Sequence, residues 1–270
     1  MLALVDGDVY KWRYAAAGEY DSYLVVKDDE EFYVRGIKKA KEATKEGGSY
    51  ELVEHVIDPV ENVLHSVKIS LEQIKKVCGC KTPRIFYGSK DNFREKIYPQ
   101  YKASRADRPK PHHYEAVIDY LVSTWGAEEV VGYEADDAMA IHQTKDTVIC
   151  SPDKDLLQVP GRHYNFVSDE RITVSLRQAD FNLYEQIITG DSTDDIPGIK
   201  GLGPVKARRI LEGSANSREL LARTVKAWED KVDDMLLTAK LIYLKRSEDD
   251  CFTHRPEVKE RLYELYGWTE

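Results

Sequence analysis

Leu2-Ala3-Leu4-Val5-Asp6-Gly7-Asp8 is an apolar run that stops on carboxylates. A short, continuously apolar segment bounded by a turn signal reads as a strand buried on both faces, with Asp6 at its carboxyl end. The same arrangement returns three times, in Tyr133-Glu134-Ala135-Asp136-Asp137, Ser151-Pro152-Asp153-Lys154-Asp155 and Gly190-Asp191-Ser192-Thr193-Asp194-Asp195. Thr147-Val148-Ile149-Cys150 precedes one of these clusters as a second short strand, and Ala138-Met139-Ala140-Ile141 follows another as a helix. Strands alternating with helices imply an α/β fold, a central and mostly parallel sheet flanked by helices. Sites in such sheets lie at the carboxyl ends of the strands, where Asp6 and Asp153 fall.

Acids placed where core strands run out are costly unless something cationic neutralises them. Oxygen-only donor sets suit hard divalent ions such as Mg²⁺ and Mn²⁺. Asp153 and Asp155 face the same way on an extended backbone, while Glu134 with Asp137, and Asp191 with Asp194, each share one face of a helical turn. Any single cluster, taken alone, reads better as a helix cap. Four clusters together, each following or opening a core element, favour one metal site assembled by folding.

Between these landmarks, Tyr23-Leu24-Val25-Val26 and Glu31-Phe32-Tyr33-Val34 read as a β-hairpin. A helix is expected from about Tyr50 to Val77, with Pro59 marking a break or a new first turn. Arg84-Ile85-Phe86-Tyr87 reads as a strand, and 111–125 as a helix stopped by Gly126. A further hairpin is expected over 164–167 and 172–174. Helices fill the chain past Asp180, interrupted by the Gly/Pro-rich 196–204 and again near Gly213. The chain is expected to be a single domain over 1–270, with an α/β core over 1–180 and a helix-hairpin-helix plus C-terminal helices over 181–270. The stretch from Asp21 to Cys80 carries no motif.

The hydrophobic fraction of 42% is ordinary for a folded chain. No apolar run approaches the length of about 18 residues that a membrane span needs, and Met1 leads straight into a strand, so neither a transmembrane helix nor a signal peptide is expected. Cys78, Cys80, Cys150 and Cys251 lack zinc-knuckle spacing and read as free thiols in a reducing cytoplasm. The net charge of −9 disfavours a nonspecific nucleic-acid coat, but the charge is unevenly distributed. From Lys81 to Lys110 nine cations stand against three acids, a local charge of +6. An acidic pocket beside a basic strip is what metal-dependent phosphodiester chemistry requires.

Within that strip, Tyr98-Pro99-Gln100-Tyr101-Lys102-Ala103-Ser104-Arg105 interleaves aromatic rings that can stack on bases with cations that can hold phosphates. By itself, without the acid clusters, the segment reads as a solvated loop. Ile199-Lys200-Gly201-Leu202-Gly203-Pro204-Val205-Lys206-Ala207-Arg208-Arg209 reads as a helix-hairpin-helix, in which glycines let backbone amides approach a phosphate near a helix amino end.

The chain resembles the structure-specific 5′ nucleases, which include flap endonucleases, the 5′-nuclease domain of bacterial DNA polymerase I and bacteriophage 5′–3′ exonucleases. The matching pieces are Val5-Asp6-Gly7, Tyr101-Lys102 with Arg105, Glu134-Ala135-Asp136-Asp137, Asp153 with Asp155, and Gly190-Asp191 with Asp194 leading into Gly198, Gly201 and Gly203. They follow the family order, and the compact size and the spacing of Phe93-Arg94 from Tyr101-Lys102 look most like a phage-type exonuclease.

The resemblance implies a two-metal enzyme that hydrolyses phosphodiester bonds at DNA 5′ ends, flaps or RNA–DNA junctions. Asp6, Glu134, Asp136 and Asp153 would bind a first Mg²⁺ or Mn²⁺, and Asp137, Asp155, Asp191 and Asp194 a second. Lys102 and Arg105 would engage the scissile phosphate, and Tyr101 would stack on the terminal base. Arg94, Lys200, Gly201, Gly203 and Lys206 would contact DNA, with K⁺ at the glycine hairpin. A monomer in the cytoplasm, or the host cytoplasm for a phage protein, is expected, with no membrane partner. One departure stands out, because Ser89 occupies the position where the family usually carries an aspartate after its second core strand; Asp91 is the nearest substitute. That gap motivates an alternative, a noncatalytic DNA-junction binder with an incomplete metal site. An RNase of the related PIN class is a second alternative, against which the glycine hairpin argues. Asp8 and Asp195 lie outside the family's regular acid positions.

Overall fold

A computed structural model describes residues 1–229 and 231–266 of the chain. The strands are β1 (Leu2–Asp6), β2 (Glu19–Lys27), β3 (Glu30–Arg35), β4 (Ser49–Ile57), β5 (Arg84–Asn92), β6 (Glu128–Gly132), β7 (Thr147–Cys150), β8 (Gly161–Asn165) and β9 (Glu170–Val174). The first helices are α1 (Gly7–Val9) and α2 (Ala15–Ala17), joined by a π-helical turn over Tyr10–Tyr14, then α3 (Ile37–Ala43), α4 (Val60–Cys78), α5 (Phe93–Ile97) and α6 (Tyr114–Trp125). They are followed by α7 (Ala135–His142), α8 (Leu176–Thr189), α9 (Pro204–Leu211), α10 (Ser217–Ala227), α11 (Val232–Ile242) and α12 (Pro256–Tyr266).

The chain divides into two compact units, one built from Met1–Asp6, Ile74–Arg108 and the residues from Ala127 onward, the other from Gly7–Gln73 and Pro109–Gly126. The first unit holds a six-stranded sheet in the order β6-β5-β1-β7-β8-β9. All its pairs are parallel except β8 with β9, so the expected mostly parallel sheet is what forms. β1 is central, with Ala3, Leu4 and Val5 wholly buried, and this explains its unbroken apolar sequence. Strand order reverses about β1: the chain adds β5 and β6 on one side, then β7 and β8 on the other. The crevice at such a reversal opens at the carboxyl ends of β1 and β7.

Leu4, Phe86, Val130, Met139, Ile149 and Leu156 form the core around this sheet. A second cluster, drawn from α8 to α12, joins Leu183, Ile187, Leu211, Leu220, Val225, Met235 and Phe252. α8 and α9 are linked by a hairpin over residues 190–203. At its base the backbones cross closely, and a Cβ on Gly198 would lie 2.1 Å from the Thr189 carbonyl carbon and oxygen and 2.3 Å from the Gly190 nitrogen. Gly198→Ala is therefore expected to cost about 3 kcal/mol. Gly203→Ala, where nothing lies within 4 Å of the added carbon, should cost under about 1 kcal/mol. Equal urea midpoints for the two variants would contradict this account of the hairpin.

In the second unit, β3, β2 and β4 make an antiparallel sheet. Here the helix expected from about Tyr50 is corrected: Tyr50–Ile57 is a strand paired with β2, and the helix begins only at Val60, after Pro59. Tyr50, Leu52, Val53, Val56 and Ile57 are the β-branched, branched and aromatic residues that suit a half-exposed sheet. Tyr23 and Val25 pack with Ala40 of α3 under this sheet. β6 and α3 carried no expectation from sequence, and the later hairpin runs over Gly161–Asn165 and Glu170–Val174, a few residues earlier than expected. Among the described residues no helix is long and apolar enough to cross a membrane.

Candidate active site

The carboxyl ends of β1 and β7 bring the first acids together. Asp6 is 4% exposed, and its Oδ2 accepts a hydrogen bond from Ser151 Oγ at 2.8 Å. Ser151 Oγ also accepts from the Asp153 amide at 3.0 Å, and Asp153 Oδ1 accepts from the Asp155 amide at 2.8 Å. Ser151 thus ties Asp6 to the turn that carries Asp153 and Asp155. Asp136 stands in the first turn of α7, where burial and then the carboxylates of Asp6, Asp153 and Glu134 push its pKa well above the usual range. Burial, with Asp153 and Asp191 next, pushes Asp155 up to about 7. Like-charge crowding of this kind is what a divalent cation relieves.

The hairpin after α8 contributes Asp191 and Asp194. Asp191 closes a tight loop with Ile196 through paired backbone hydrogen bonds of 3.0 and 2.8 Å. The basic strip is pinned onto this loop: the Lys102 amide donates to the Asp194 carbonyl at 3.0 Å, and the Ser104 amide to Asp195 Oδ2 at 2.8 Å. Lys102 and Asp195 both take left-handed backbone conformations, at φ 54° and 57°. Such geometry costs on the order of 1 kcal/mol or more for a residue with a Cβ, and persists only where contacts enforce it.

Lys102 Nζ reaches Glu134 Oε1 and lies 3.5 Å from Asp194 Oδ2. Arg105 Nη2 lies 2.7 Å from Asp194 Oδ1. Burial alone would raise Glu134, but Lys102 and Arg94 hold its pKa below the usual carboxylate value. Burial raises Asp194 against the opposing pull of Lys102 and Arg105. The chain's own cations therefore neutralise Glu134 and Asp194, two of the acids that the sequence assigns to metal.

Glu134, Asp136, Asp155, Asp191 and Asp194 line one small cavity of about 40 Å³, closed behind by Tyr101, Gln158, Gln186 and Ile196. A neighbouring groove of about 370 Å³ runs from Asp155 and Asp191 past Lys154 and Thr193 to Gly203, Pro204 and Arg208, so the acids and the glycine hairpin share one surface. Gly201, at φ 83°, and Gly203 have nothing within 4 Å of a virtual Cβ, which leaves their backbone open to a large ligand. Lys200 is exposed, whereas Lys206 Nζ donates to the Gly201 carbonyl at 2.8 Å and Arg208 pairs with Glu185 at 2.9 Å.

Three assignments need correction. Asp137 is wholly buried and both its oxygens are taken: Arg94 donates to them at 2.5 and 3.1 Å, the Glu134 amide at 3.1 Å and the Lys245 amide at 3.0 Å. A carboxylate so satisfied has no lone pair left for an ion, so its place three residues after Glu134 reflects helix capping. Arg94, expected on DNA, is 1% exposed and spends its remaining donors on the carbonyls of Leu241 at 2.7 Å and Tyr243 at 2.9 Å. Tyr101, expected to stack on a base, is 4% exposed, and its hydroxyl donates to Glu134 at 2.9 Å and Asp194 at 3.3 Å; it braces the acids instead.

Ser89 lies inside β5, where the pairing with β6 shifts register between Gly88 and Asn92. Asp91, the nearest substitute, pairs with Lys96 at 2.7 Å and does not line the cavity that holds the other acids. Asp8 pairs with Lys11 at 2.6 Å, and Asp195 is committed to Ser104. Sequence reasoning missed Ser151, Gln158 and Gln186, of which the polar Gln158 within Leu156-Leu157-Gln158-Val159 was the readable signal.

Among the described residues no three His, Cys, Asp or Glu side chains are gathered tightly enough to ligate an ion as they stand. The donor set nevertheless fits hard divalent ions. It is all oxygen, five acids face one cavity, and burial beside neighbouring carboxylates pushes the pKa of two of them, Asp136 and Asp155, up.

A sequence model of the 5′–3′ exonuclease N-terminal resolvase-like domain matches residues 44–185. The 5′–3′ exonuclease of Aquifex aeolicus is 33% identical over 207 residues, covering 64% of this chain and 70% of that protein. The thermostable DNA polymerase I of Thermus aquaticus is 30% identical over 233 residues, covering 76% of this chain but 28% of the polymerase. Among solved structures, the flap endonuclease of bacteriophage T5 in complex with DNA and metal ions superimposes with a TM-score of 0.55 at 16% identity, over 67% of this chain and 80% of that one. The bacteriophage T5 5′-exonuclease with divalent zinc ions bound gives a TM-score of 0.55 at 17% identity, over 66% and 80%.

Proposed function

The chain belongs to the 5′–3′ exonuclease family, and from that premise we propose that it hydrolyses DNA phosphodiester bonds at 5′ ends, flaps or RNA–DNA junctions with two divalent ions, Mg²⁺ or Mn²⁺. The observation that carries this reading is the cavity of about 40 Å³ onto which Glu134, Asp136, Asp155, Asp191 and Asp194 all open. Asp6, Glu134, Asp136 and Asp153 would hold one ion, and Asp155, Asp191 and Asp194 the other. When bound, the ions supply hydroxide near neutral pH and stabilise the departing 3′ oxygen.

The residues around the acids have distinct tasks. Lys102 and Arg105, now paired with Glu134 and Asp194, would exchange those carboxylates for the oxygens of the scissile phosphate and stabilise its developing charge. Tyr101 would keep Glu134 and Asp194 oriented while that exchange occurs. The groove that leads from Asp155 to Gly203 gives duplex DNA a continuous path, with Gly201, Gly203 and Lys200 holding its backbone away from the cut. We extend the proposal to a single working domain, to K⁺ at the hairpin, and to a monomer acting in the cytoplasm.

Ser89, with Asp91 turned to Lys96, favours one second reading, a junction-binding protein that does not cut. The two separate in one experiment. Flap DNA is bound in EDTA, and Mg²⁺ or Mn²⁺ is then added. Cleavage of bound DNA, and not of the equivalent RNA, is expected. Binding without cleavage under either ion would establish the second reading.

A further inference from the structure

The C-terminal end of α11 runs into an extended segment that two side chains hold from opposite sides. Helix ends leave their last carbonyls without intrahelical partners, and at this buried end Arg94 and Gln158 supply them. Arg94 donates to the carbonyls of Leu241 at 2.7 Å and Tyr243 at 2.9 Å. Gln158 takes the alternate residues: its Nε2 donates to the Ile242 carbonyl and its Oε1 accepts from the Leu244 amide, both at 3.0 Å. The Lys245 amide then donates to Asp137.

Each clamp also faces the acids. Arg94 grips Asp137, and through the Asp137 contact with the Glu134 amide it fixes the first turn of α7. Gln158, 1% exposed, donates to Gln186 Oε1 at 3.2 Å, and Gln186 Nε2 donates to Asp155 Oδ1. The chain of donors therefore runs from the backbone of Ile242 and Leu244, through two amides, to one oxygen of an acid facing the cavity. A glutamine amide cannot reverse without breaking bonds here, because turning that of Gln158 would set its nitrogen against the Leu244 amide and its oxygen against the Ile242 carbonyl.

We infer that Gln158 and Gln186 are positioning residues for divalent-ion binding, an amide relay that orients Asp155 from the segment Leu241–Leu244. This rests on the proposed metal-dependent function. Groups behind metal ligands typically change affinity about 10- to 100-fold when removed. The hydrogen bond that joins the two glutamines to the acids is the one from Gln186 to Asp155 Oδ1, so the relay acts through that carboxylate.

The test measures binding of Mn²⁺ alone, by electron paramagnetic resonance of the free ion, to the full chain and to Gln186→Leu, Gln158→Leu and the double variant. Circular dichroism first checks that each is folded. Both single variants should weaken Mn²⁺ binding by about tenfold or more. The double variant should be no weaker than the worse single one, because both act through one chain of contacts. Val225→Ala in the core of α10, which lowers stability without touching the relay, should leave Mn²⁺ affinity unchanged and so separates positioning from general destabilisation. If Gln158→Leu fails to fold, Gln186→Leu carries the test, since it leaves the Ile242 and Leu244 contacts in place. Parental Mn²⁺ affinity in folded Gln186→Leu overturns the relay while leaving the nuclease reading intact. No Mn²⁺ binding by the parental chain overturns that reading and the relay together.

Discussion

Asp155→Asn is expected to abolish cleavage while binding of flap DNA in EDTA stays within about twofold of the parental chain. Asp155 follows Asp153 in the turn after β7, faces the cavity shared with Asp191, and is pushed up to about 7 by burial and then by those two acids. Asparagine keeps its shape, and its oxygen can still accept from Gln186, so the fold should be undisturbed. What it removes is one negative charge facing the ion. Metal stabilisation of the transition state amounts to several kcal/mol, so the rate should fall by on the order of 10³-fold. Single-turnover cleavage in Mg²⁺ measures this. A parental rate would mean that Asp155 lies outside the working site.

Asp137→Ala is expected to be the most destabilising substitution among the acids, by about 3–5 kcal/mol. Its loss leaves the buried Arg94 guanidinium with only the more distant Glu134 carboxylate, at 3.7 Å, removes the bond to the Glu134 amide that caps α7, and frees the Lys245 amide. Urea unfolding should show a much lower midpoint. The joint replacement Arg94→Leu with Asp137→Leu should recover part of the loss, because it removes both buried charges at once. Asp136→Asn should shift the midpoint the other way, since it removes a buried charge and with it the repulsion from Asp6 and Asp153, while impairing cleavage. A loss of stability from Asp136→Asn comparable to that from Asp137→Ala would contradict the division between a structural and a metal-facing acid.

That division marks the limit of what the sequence discloses. The four carboxylate clusters were legible because they interrupt apolar core runs, and the hairpin because Gly190, Gly198, Gly201 and Gly203 fall at fixed offsets. The parallel sheet follows from strands alternating with helices around the wholly buried β1. Asp136 and Asp137, however, are adjacent, and nothing local says which one turns toward the acid cavity and which toward Arg94. The bonds that decide it join residues far apart in the chain, Asp137 to Arg94 and to the Lys245 amide, so no periodicity records them. Tyr50–Ile57 was misread for a related reason: its mixed apolar pattern suits a helix as well as a strand until β2 is available as a partner. The basic strip was visible as charge, but its pairing with the very acids it flanks depends on Asp194 and Asp195 arriving from another part of the chain.

Ser89 sharpens rather than weakens this picture. The acids that face the cavity come from α7, the turn after β7 and the hairpin after α8, and none of them depends on β5. An acid missing from β5 therefore leaves that set intact, and Mg²⁺ titration of cleavage should show whether one ion binds more weakly than the other.

The central claim is best tested with one flap duplex labelled at either its 5′ or its 3′ end and incubated with the parental chain in Mg²⁺. The account predicts short 5′-labelled products that appear with time, a 3′-labelled strand shortened from its 5′ side, and no products of either kind in EDTA. Products released from the 3′ end, or equal cutting in EDTA, would contradict it.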